Sequence, residues 1–283
     1  MMAEHKQVVE LAKPLERRAQ NAVKVREAAA LELIERAFKI EVPSVIAFSG
    51  GKDSTVILDL VRRVRPDTPA LFANTGVEYP ETVAYARSVG NINEVMFEKS
   101  FWDCVKEYGF PQSKAKAKDG NKCCVYMKKR PMKKWEKEHG VKLVFLGITM
   151  AESRNRMMLL KHRGPFYACA GEGVFKCYPI WDWTEAEVWA YIKEHKLAYN
   201  PIYDAPAVLG GRAGGRGAVR CGCIPCTAYK SWRERLAREN PAMYKFVLKK
   251  MGQTQLSMQH TLCTKPFCIG CSDLHCPDDK RGV

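Results

Sequence analysis

The sequence has no apolar run of about eighteen residues, the length a membrane-crossing helix needs. Its first residues, Met1-Met2-Ala3-Glu4-His5-Lys6, lack the apolar stretch of a secretion signal. Both absences argue against a membrane role and set the expectation of a cytoplasmic protein. Acidic residues are scarce, with 31 Asp and Glu against 46 Lys and Arg. That surplus of base suits a polyanionic partner and equally a nucleotide pocket, and charge alone does not choose between them. Two familiar phosphate-binding turns are also missing around the glycine pair Gly50-Gly51, which follows the apolar run Val45–Phe48. The spacing is neither that of the Walker loop nor that of the Gly-x-Gly-x-x-Gly dinucleotide turn.

What is present is a full complement of core formers. At 46% hydrophobic residues over 283 positions, the chain can bury one main domain with appendages. The apolar run Val45–Phe48 breaks into Ser49-Gly50-Gly51-Lys52-Asp53-Ser54 and then into an apolar-periodic segment, which reads as strand, glycine turn and helix start. Gly50 and Gly51 allow positive φ and a close backbone approach, so that consecutive N–H groups converge on an anion. Lys52 adds a point charge, Ser49 and Ser54 add hydroxyls, and the helix beginning near Asp53 aims its positive end at the same place.

Elsewhere, strand and helix patterns alternate. Residues 4–40 read as helix, broken at Pro14, with Ala22, Val25, Ala29, Leu33 and Ala37 on an apolar face. A helix to about Val64, a strand at Ala70–Ala73, a turn over Asn74–Glu81, a helix over Thr82–Val89, and strands at Glu94–Phe97 and Val141–Leu146 follow. This alternation predicts an α/β fold built on a doubly wound parallel sheet, with the ligand at the carboxyl ends of the strands. Ser49–Ser54, Asn74–Glu78 and Gly147–Arg156 all fall at such ends. Trp181, Trp183, Val188, Trp189 and Ile192 read as core. Gly210–Gly217, glycine and arginine without an apolar anchor, fits a loop closing over a polyanion as well as a plain linker.

Ser49–Ser54 resembles the Ser-Gly-Gly-x-Asp-Ser pyrophosphate loop of the ATP pyrophosphatases, which cleave ATP between its α and β phosphates. Phe72–Thr82 resembles the second signature of the phosphoadenosine phosphosulfate (PAPS) reductase superfamily. Gly147–Arg156 is similar to that superfamily's Gly-x-Arg-x-x-Glu-Ser-x-x-Arg, with Thr149 where arginine is usual, and Pro179–Asp204 is similar to its helix-and-turn signature. The resemblance covers roughly residues 40–232. It implies an adenine nucleotide α-hydrolase-like fold over 41–235, N-terminal helices over 1–40, and a helical and cysteine-rich metal-binding tail over 236–283. The nucleotide-binding residues it implies are Ser49, Gly50, Gly51, Lys52, Asp53, Ser54, Asn74, Gly76, Glu78, Gly147, Glu152, Arg154 and Arg156, with Lys52 and Asp53 in catalysis. Arginine forks at 154 and 156 suit phosphate or sulfate oxygens, and Glu152 suits a metal ion or the orientation of those arginines.

Twelve cysteines in a chain without a secretion signal read as metal or redox ligands. Cys123-Cys124 followed far downstream by Cys223-Ile-Pro-Cys226 resembles the 4Fe-4S pattern of adenylylsulfate (APS) reductases, although four thiolates suit zinc as well. Neighbouring Lys122 and Lys128 would help to keep the thiolates ionised, and Cys221 is close enough in sequence to substitute as a ligand. In the tail, Cys263, Cys268, Cys271 and Cys276 lie in a segment too short to fold on its own apolar burial, which predicts a second metal site holding zinc or another iron-sulfur cluster. Truncation after Gln259 is expected to remove that metal and to leave the first site intact, as metal analysis would show. A tail thiol, Cys271 or Cys276, is the alternative nucleophile of a sulfonucleotide reductase.

Three functions fit these features. In the first, ATP with Mg²⁺ is cleaved to AMP and pyrophosphate to activate an acceptor for thiolation; the resemblance implies DNA or tRNA as acceptor and a cysteine desulfurase as sulfur source. In the second, APS or PAPS is reduced to sulfite with a thioredoxin-like electron donor. In the third, the chain is a metal-bound nucleic-acid-binding module without catalysis. The intact pyrophosphate loop favours the first, because a sulfonucleotide has no β and γ phosphates for it to hold.

Overall fold

A computed structural model of the chain describes residues 23–113, 120–204, 221–228 and 231–252. Short apolar runs bounded by polar turns form six strands: β1 (Ser44–Phe48), β2 (Ala70–Asn74), β3 (Ile92–Met96), β4 (Leu143–Leu146), β5 (Phe166–Cys169) and β6 (Val174–Cys177). They make one sheet in the order β3-β2-β1-β4-β6-β5. β1, β2, β3, β4 and β6 run parallel, while β5 pairs antiparallel with β6 as an edge hairpin. The doubly wound sheet is therefore as expected, with one antiparallel edge where Cys169 and Cys177 fall in the turn-rich hairpin that the sequence indicates. Every residue of β2 is buried, as befits a strand covered on both faces.

One face is covered by α1 (23–38), α2 (Lys52–Val64) and α8 (Glu185–Glu194), which enclose Ile46, Ile57, Phe72, Phe145, Trp183 and Tyr191. The buried stripe of α1 is Val23, Ala30, Leu33, Ile34 and Ala37, whereas Val25 is 70% exposed. The expected stripe through Val25 and Ala29 was thus rotated by about a residue; a 3.6-residue repeat rich in alanine leaves such neighbours hard to separate. Residues 4–22, with the expected break at Pro14, lie outside the described residues. Trp183 precedes α8 instead of lying on it, and its ring packs edge-on to Tyr191 at 5.5 Å. Trp183 is 1% exposed. Trp183→Ala is expected to cost about 3–5 kcal/mol, read as a lower urea midpoint with an unchanged slope.

The opposite face is covered mainly by one long helical segment. It begins as α5 (Lys122–Cys124), widens into a π turn over Val125–Lys129, and continues as α6 (Arg130–Glu138). Met132 and Trp135 of α6 pack on Val45, Leu71, Val144 and Val174. Towards the carboxyl ends of β2 and β3, α4 (Phe101–Tyr108) packs with Cys123 and Met127. Two late helices, α9 (Trp232–Glu239) and α10 (Pro241–Lys250), lie against Trp102, Phe110 and Ile224. α9 runs through 235 and 236, where the sequence reading divides domain from tail, and buried Leu236 ties that helix to the same cluster. Between β3 and its neighbours, α3 (Pro80–Ser88) completes the β2-to-β3 crossover, and α7 (Arg154–Arg163) follows β4.

Candidate active site

Strand order reverses between β1 and β4, since the chain winds from β1 outward to β3 and then returns to place β4 on the other side of β1. An open α/β sheet binds ligands in the crevice at such a reversal. A cavity of about 470 Å³ lies there, lined by Ser49, Gly51, Lys52 and Asp53 from the β1–α2 turn and by Gly147, Glu152 and Arg156 from the β4–α7 turn. Two of the three signature loops therefore meet.

Gly50 has φ of +69°, which the loop needs, and Gly51 is the N-cap of α2. Ser54 is 4% exposed and spends its hydroxyl on the loop itself: it accepts from Ser49 N at 3.2 Å and Gly51 N at 3.1 Å. It positions the turn instead of projecting into the cavity. The first-turn amides of α2 have no partners within the helix, and the positive end of its dipole lies at the crevice; Lys52 N is taken by the Tyr203 hydroxyl. Lys52 Nζ lies 2.9 Å from Asp53 Oδ2, both side chains being largely buried. Arg156 is ion-paired with Glu152 within the same lining. The carboxylates thus hold two cations in place beside the N-terminus of α2.

Three further contacts tighten the turn. Asn200, fully buried, donates to Gly50 O at 3.1 Å and to Thr82 Oγ1 at 2.8 Å. Tyr203 accepts from Lys52 N at 3.2 Å, and burial raises its hydroxyl pKa, so it stays protonated. Gly147 approaches so closely that a Cβ there would sit 2.8 Å from the Asp53 carbonyl carbon. Gly147→Ala is expected to push α2 away from β4 and to cost about 1–3 kcal/mol, measurable by urea denaturation.

The third loop serves a different neighbour. β2 lies on the far side of β1 from the crevice, so Asn74, Gly76 and Glu78 do not line the cavity. Asn74 accepts from Gly76 N at 2.9 Å and donates to Glu94 at 2.6 Å, and Glu78 accepts from Thr75 N at 2.9 Å, which closes the turn on itself. Its outer side then meets the cysteines. Ile224 N donates to Val77 O at 2.8 Å, Thr75 Oγ1 lies 3.6 Å from Cys223 Sγ, and Lys128 reaches Glu78 at 3.4 Å. Arg154 is exposed and also outside the cavity lining, two residues before Arg156 and so on the other side of α7.

Cys123, Cys124, Cys223 and Cys226 are brought into one electrostatic neighbourhood. The Cys123 thiol is pushed up by its hydrogen bond to Cys124, by burial and by the charges of Cys124, Cys226 and Cys223. Cys124 is held low by the hydrogen bond from Cys123 and by the ammonium groups of Lys128 and Lys129. Burial lowers Lys128, yet the charges of Cys223, Glu78 and Cys124 outweigh it and hold that ammonium protonated. Lys128 is as expected; Lys129, not Lys122, is its companion. Arg235 of α9 donates to Ile224 O at 3.0 Å and Cys226 O at 3.3 Å, bracing the Cys-x-x-Cys turn. Among the described residues no three His, Cys, Asp or Glu side chains stand close enough to grip a single metal ion. Four thiols that act on one another, with the half-exposed Lys128 ammonium beside them, are a donor set that a polynuclear centre could use.

Cys221 lines the β1–β4 crevice instead of joining that set. Its thiol lies 3.6 Å from Ser49 O and 3.7 Å from the Tyr203 hydroxyl, and a Cβ on Gly51 would meet it at 2.9 Å. Sequence reading missed Tyr203, Asn200 and Glu185 as well. All three line or brace the cavity and fall within the stretch similar to the helix-and-turn signature, which was the available signal. Cys263, Cys268, Cys271, Cys276 and the glycine-arginine segment lie outside the described residues.

Comparison with known proteins narrows the meaning of this geometry. The model of the phosphoadenosine phosphosulfate reductase domain matches residues 43–229. The chain belongs to the PAPS reductase family. An uncharacterized protein of Methanocaldococcus jannaschii is 31% identical over 215 residues, which are 73% of this chain and 41% of that protein, so the chain spans about two fifths of this relative. An adenosine 5'-phosphosulfate reductase of Allochromatium vinosum is 27% identical over 71% of this chain and 75% of that enzyme. A solved PAPS reductase from Candida auris aligns with a TM-score of 0.47 at 22% identity, covering 65% of this chain and 91% of its own. Family members thus include enzymes of sulfur metabolism, and the loops that line the cavity here fall inside the matched domain. No helix among the described residues is long and apolar enough to cross a membrane.

Proposed function

We propose that this PAPS reductase family member binds ATP in the β1–β4 crevice and cleaves it to AMP and pyrophosphate, activating an acceptor for thiolation. The observation that carries the reading is the intact Ser49–Ser54 loop, with Lys52 and the N-terminus of α2 facing a cavity whose opposite wall is Arg156. Amides, an ammonium and a guanidinium directed at one crevice suit a polyphosphate. An acceptor oxygen attacks the α-phosphorus, the bond to the α–β bridging oxygen breaks, and its electrons leave with pyrophosphate. Lys52 and the loop N–H groups stabilise the charge that develops there, and Asp53 orients Lys52 through their ion pair. A sulfur nucleophile from a persulfide donor of the cysteine desulfurase kind then displaces AMP, and a thiol reduces the remaining S–S bond.

Cys123, Cys124, Cys223 and Cys226 are the residues that would hold a 4Fe-4S cluster, with Lys128 balancing its negative charge and Arg235 fixing the turn that carries two of the ligands. When bound, such a cluster supplies electron-transfer and sulfur-handling chemistry beside the crevice. The β2–α3 loop touches both places: it closes against Cys223 and Lys128 on one side, and Thr82 at the start of α3 shares Asn200 with Gly50 on the other. The reductase reading retains one specific support, the APS reductases among the relatives, and assays with ATP and with sulfonucleotides separate the two.

A further inference from the structure

We propose that the paired rings of Tyr108 and Tyr126, with the basic row Arg130, Lys133, Lys134 and Lys137, form a docking surface for single-stranded nucleic acid. The rings are nearly parallel, 12° apart with centroids at 6.0 Å, and their hydroxyls lie 3.2 Å from each other. Tyr108 ends α4 and is 41% exposed. Lys99 Nζ stands 5.4 Å and 5.1 Å from the two ring centroids, and the Arg130 guanidinium is 4.9 Å from the Tyr126 ring. The two rings, with the Lys99 ammonium, itself ion-paired to Glu107, and the Arg130 guanidinium beside them, offer aromatic surface for an unpaired base and positive charge for the adjoining phosphate.

The row continues along α6. Arg130, Lys133, Lys134 and Lys137 are related by steps of three (130 to 133, 134 to 137) and four (130 to 134, 133 to 137), so they share one helix face, and all four are exposed. The buried side of the same helix is Met132 and Trp135 against the sheet, so the basic face cannot turn inward. Arg130, Lys133 and Lys134 do meet Glu98, Glu172 and Glu138, at 3.0 Å, 3.8 Å and 4.0 Å. These pairs are solvent-exposed and weak, and phosphates can replace their carboxylates. Lys137 enters no ion pair among the described residues. An acidic protein would meet the same charge but has no use for two paired rings, and a duplex keeps its bases stacked inside; the combination fits a single strand.

The inference rests on the thiolation reading for its biological sense. Its test does not depend on that reading. Anisotropy of a fluorescein-labelled thymidine oligonucleotide of about 20 residues is followed on the iron-replete full chain without ATP, across salt from about 50 to 200 mM. Tyr108→Ser is expected to weaken binding about tenfold at every salt concentration with the salt slope unchanged, as loss of stacking requires. Lys133→Glu/Lys137→Glu is expected to weaken binding at least about tenfold at low salt and to flatten the slope by about 1–2. Both variants are expected to keep wild-type iron content and ATP affinity, which separates a local loss from misfolding. Failure of the wild type to bind, wild-type affinity in both variants, or equal competition by poly-glutamate would overturn the proposal. Loss of ATP binding with oligonucleotide binding intact would count against the nucleotide reading and leave this surface standing.

Discussion

Lys52→Ala is expected to weaken ATP binding by about 10- to 100-fold while changing AMP affinity by no more than about threefold. A charge-assisted hydrogen bond to a phosphate is worth about 1.5–3 kcal/mol, which converts to that range at about 1.4 kcal/mol per decade. The asymmetry between the nucleotides follows from position. Lys52 begins α2 at the glycine loop, whose amides and dipole are directed at the phosphates furthest from the adenosine, and AMP has none there. The fold is expected to tolerate the change, because the ammonium lines the cavity and makes one ion pair, to Asp53. Isothermal titration with ATP, ADP and AMP reads the effect directly. Equal weakening of all three would mean that Lys52 touches the common nucleoside end and that the loop does not serve pyrophosphate.

Cys123→Ser and Cys226→Ser are each expected to lose most of the bound iron and the brown colour of anaerobically purified protein, whereas Cys221→Ser is expected to keep both. The contrast comes from where the thiols sit. Cys123 and Cys226 act on each other and on Cys124 and Cys223 across one small region, and they come from α5 and from the turn that Arg235 braces. Cys221 is two residues from Cys223 in sequence, yet its sulfur is turned to Ser49 O and Tyr203 beside the glycine loop. A serine hydroxyl is a poor substitute for a thiolate toward iron. Full iron in Cys123→Ser and Cys226→Ser would remove the assignment, and iron loss in Cys221→Ser alone would exchange the roles of the two sites.

The sheet was legible because its strands are short apolar runs punctuated by Gly, Asn and Pro, and because the chemistry sits where the chain turns. Ser49–Ser54 and Gly147–Arg156 meet in space as their positions after β1 and β4 require. Asn74–Glu78 was harder to place, since knowing that a loop follows a strand does not give the strand's neighbours. Only the order β3-β2-β1-β4 shows that this loop lies on the cysteine side. β3 was expected at Glu94–Phe97 and is found at Ile92–Met96, half-buried at the sheet edge, where alternation is weak. The π turn at Val125–Lys129 has no pattern of its own in the sequence; it widens the helix where Lys128 faces Glu78 and Cys223. Cys221 was read as a spare ligand from its neighbours in sequence, and its side chain is directed the other way.

The most direct test of the account runs ATP and sulfonucleotides in parallel on one anaerobic, iron-replete preparation, with nucleic acid and a persulfide donor in one arm and a thioredoxin-like reductant in the other. AMP and pyrophosphate should appear in equal amounts from ATP, dependent on acceptor and abolished by Lys52→Ala, with no sulfite from APS or PAPS. Sulfite from APS or PAPS without binding of ATP would contradict the account and pass the chemistry to a tail thiol, Cys271 or Cys276.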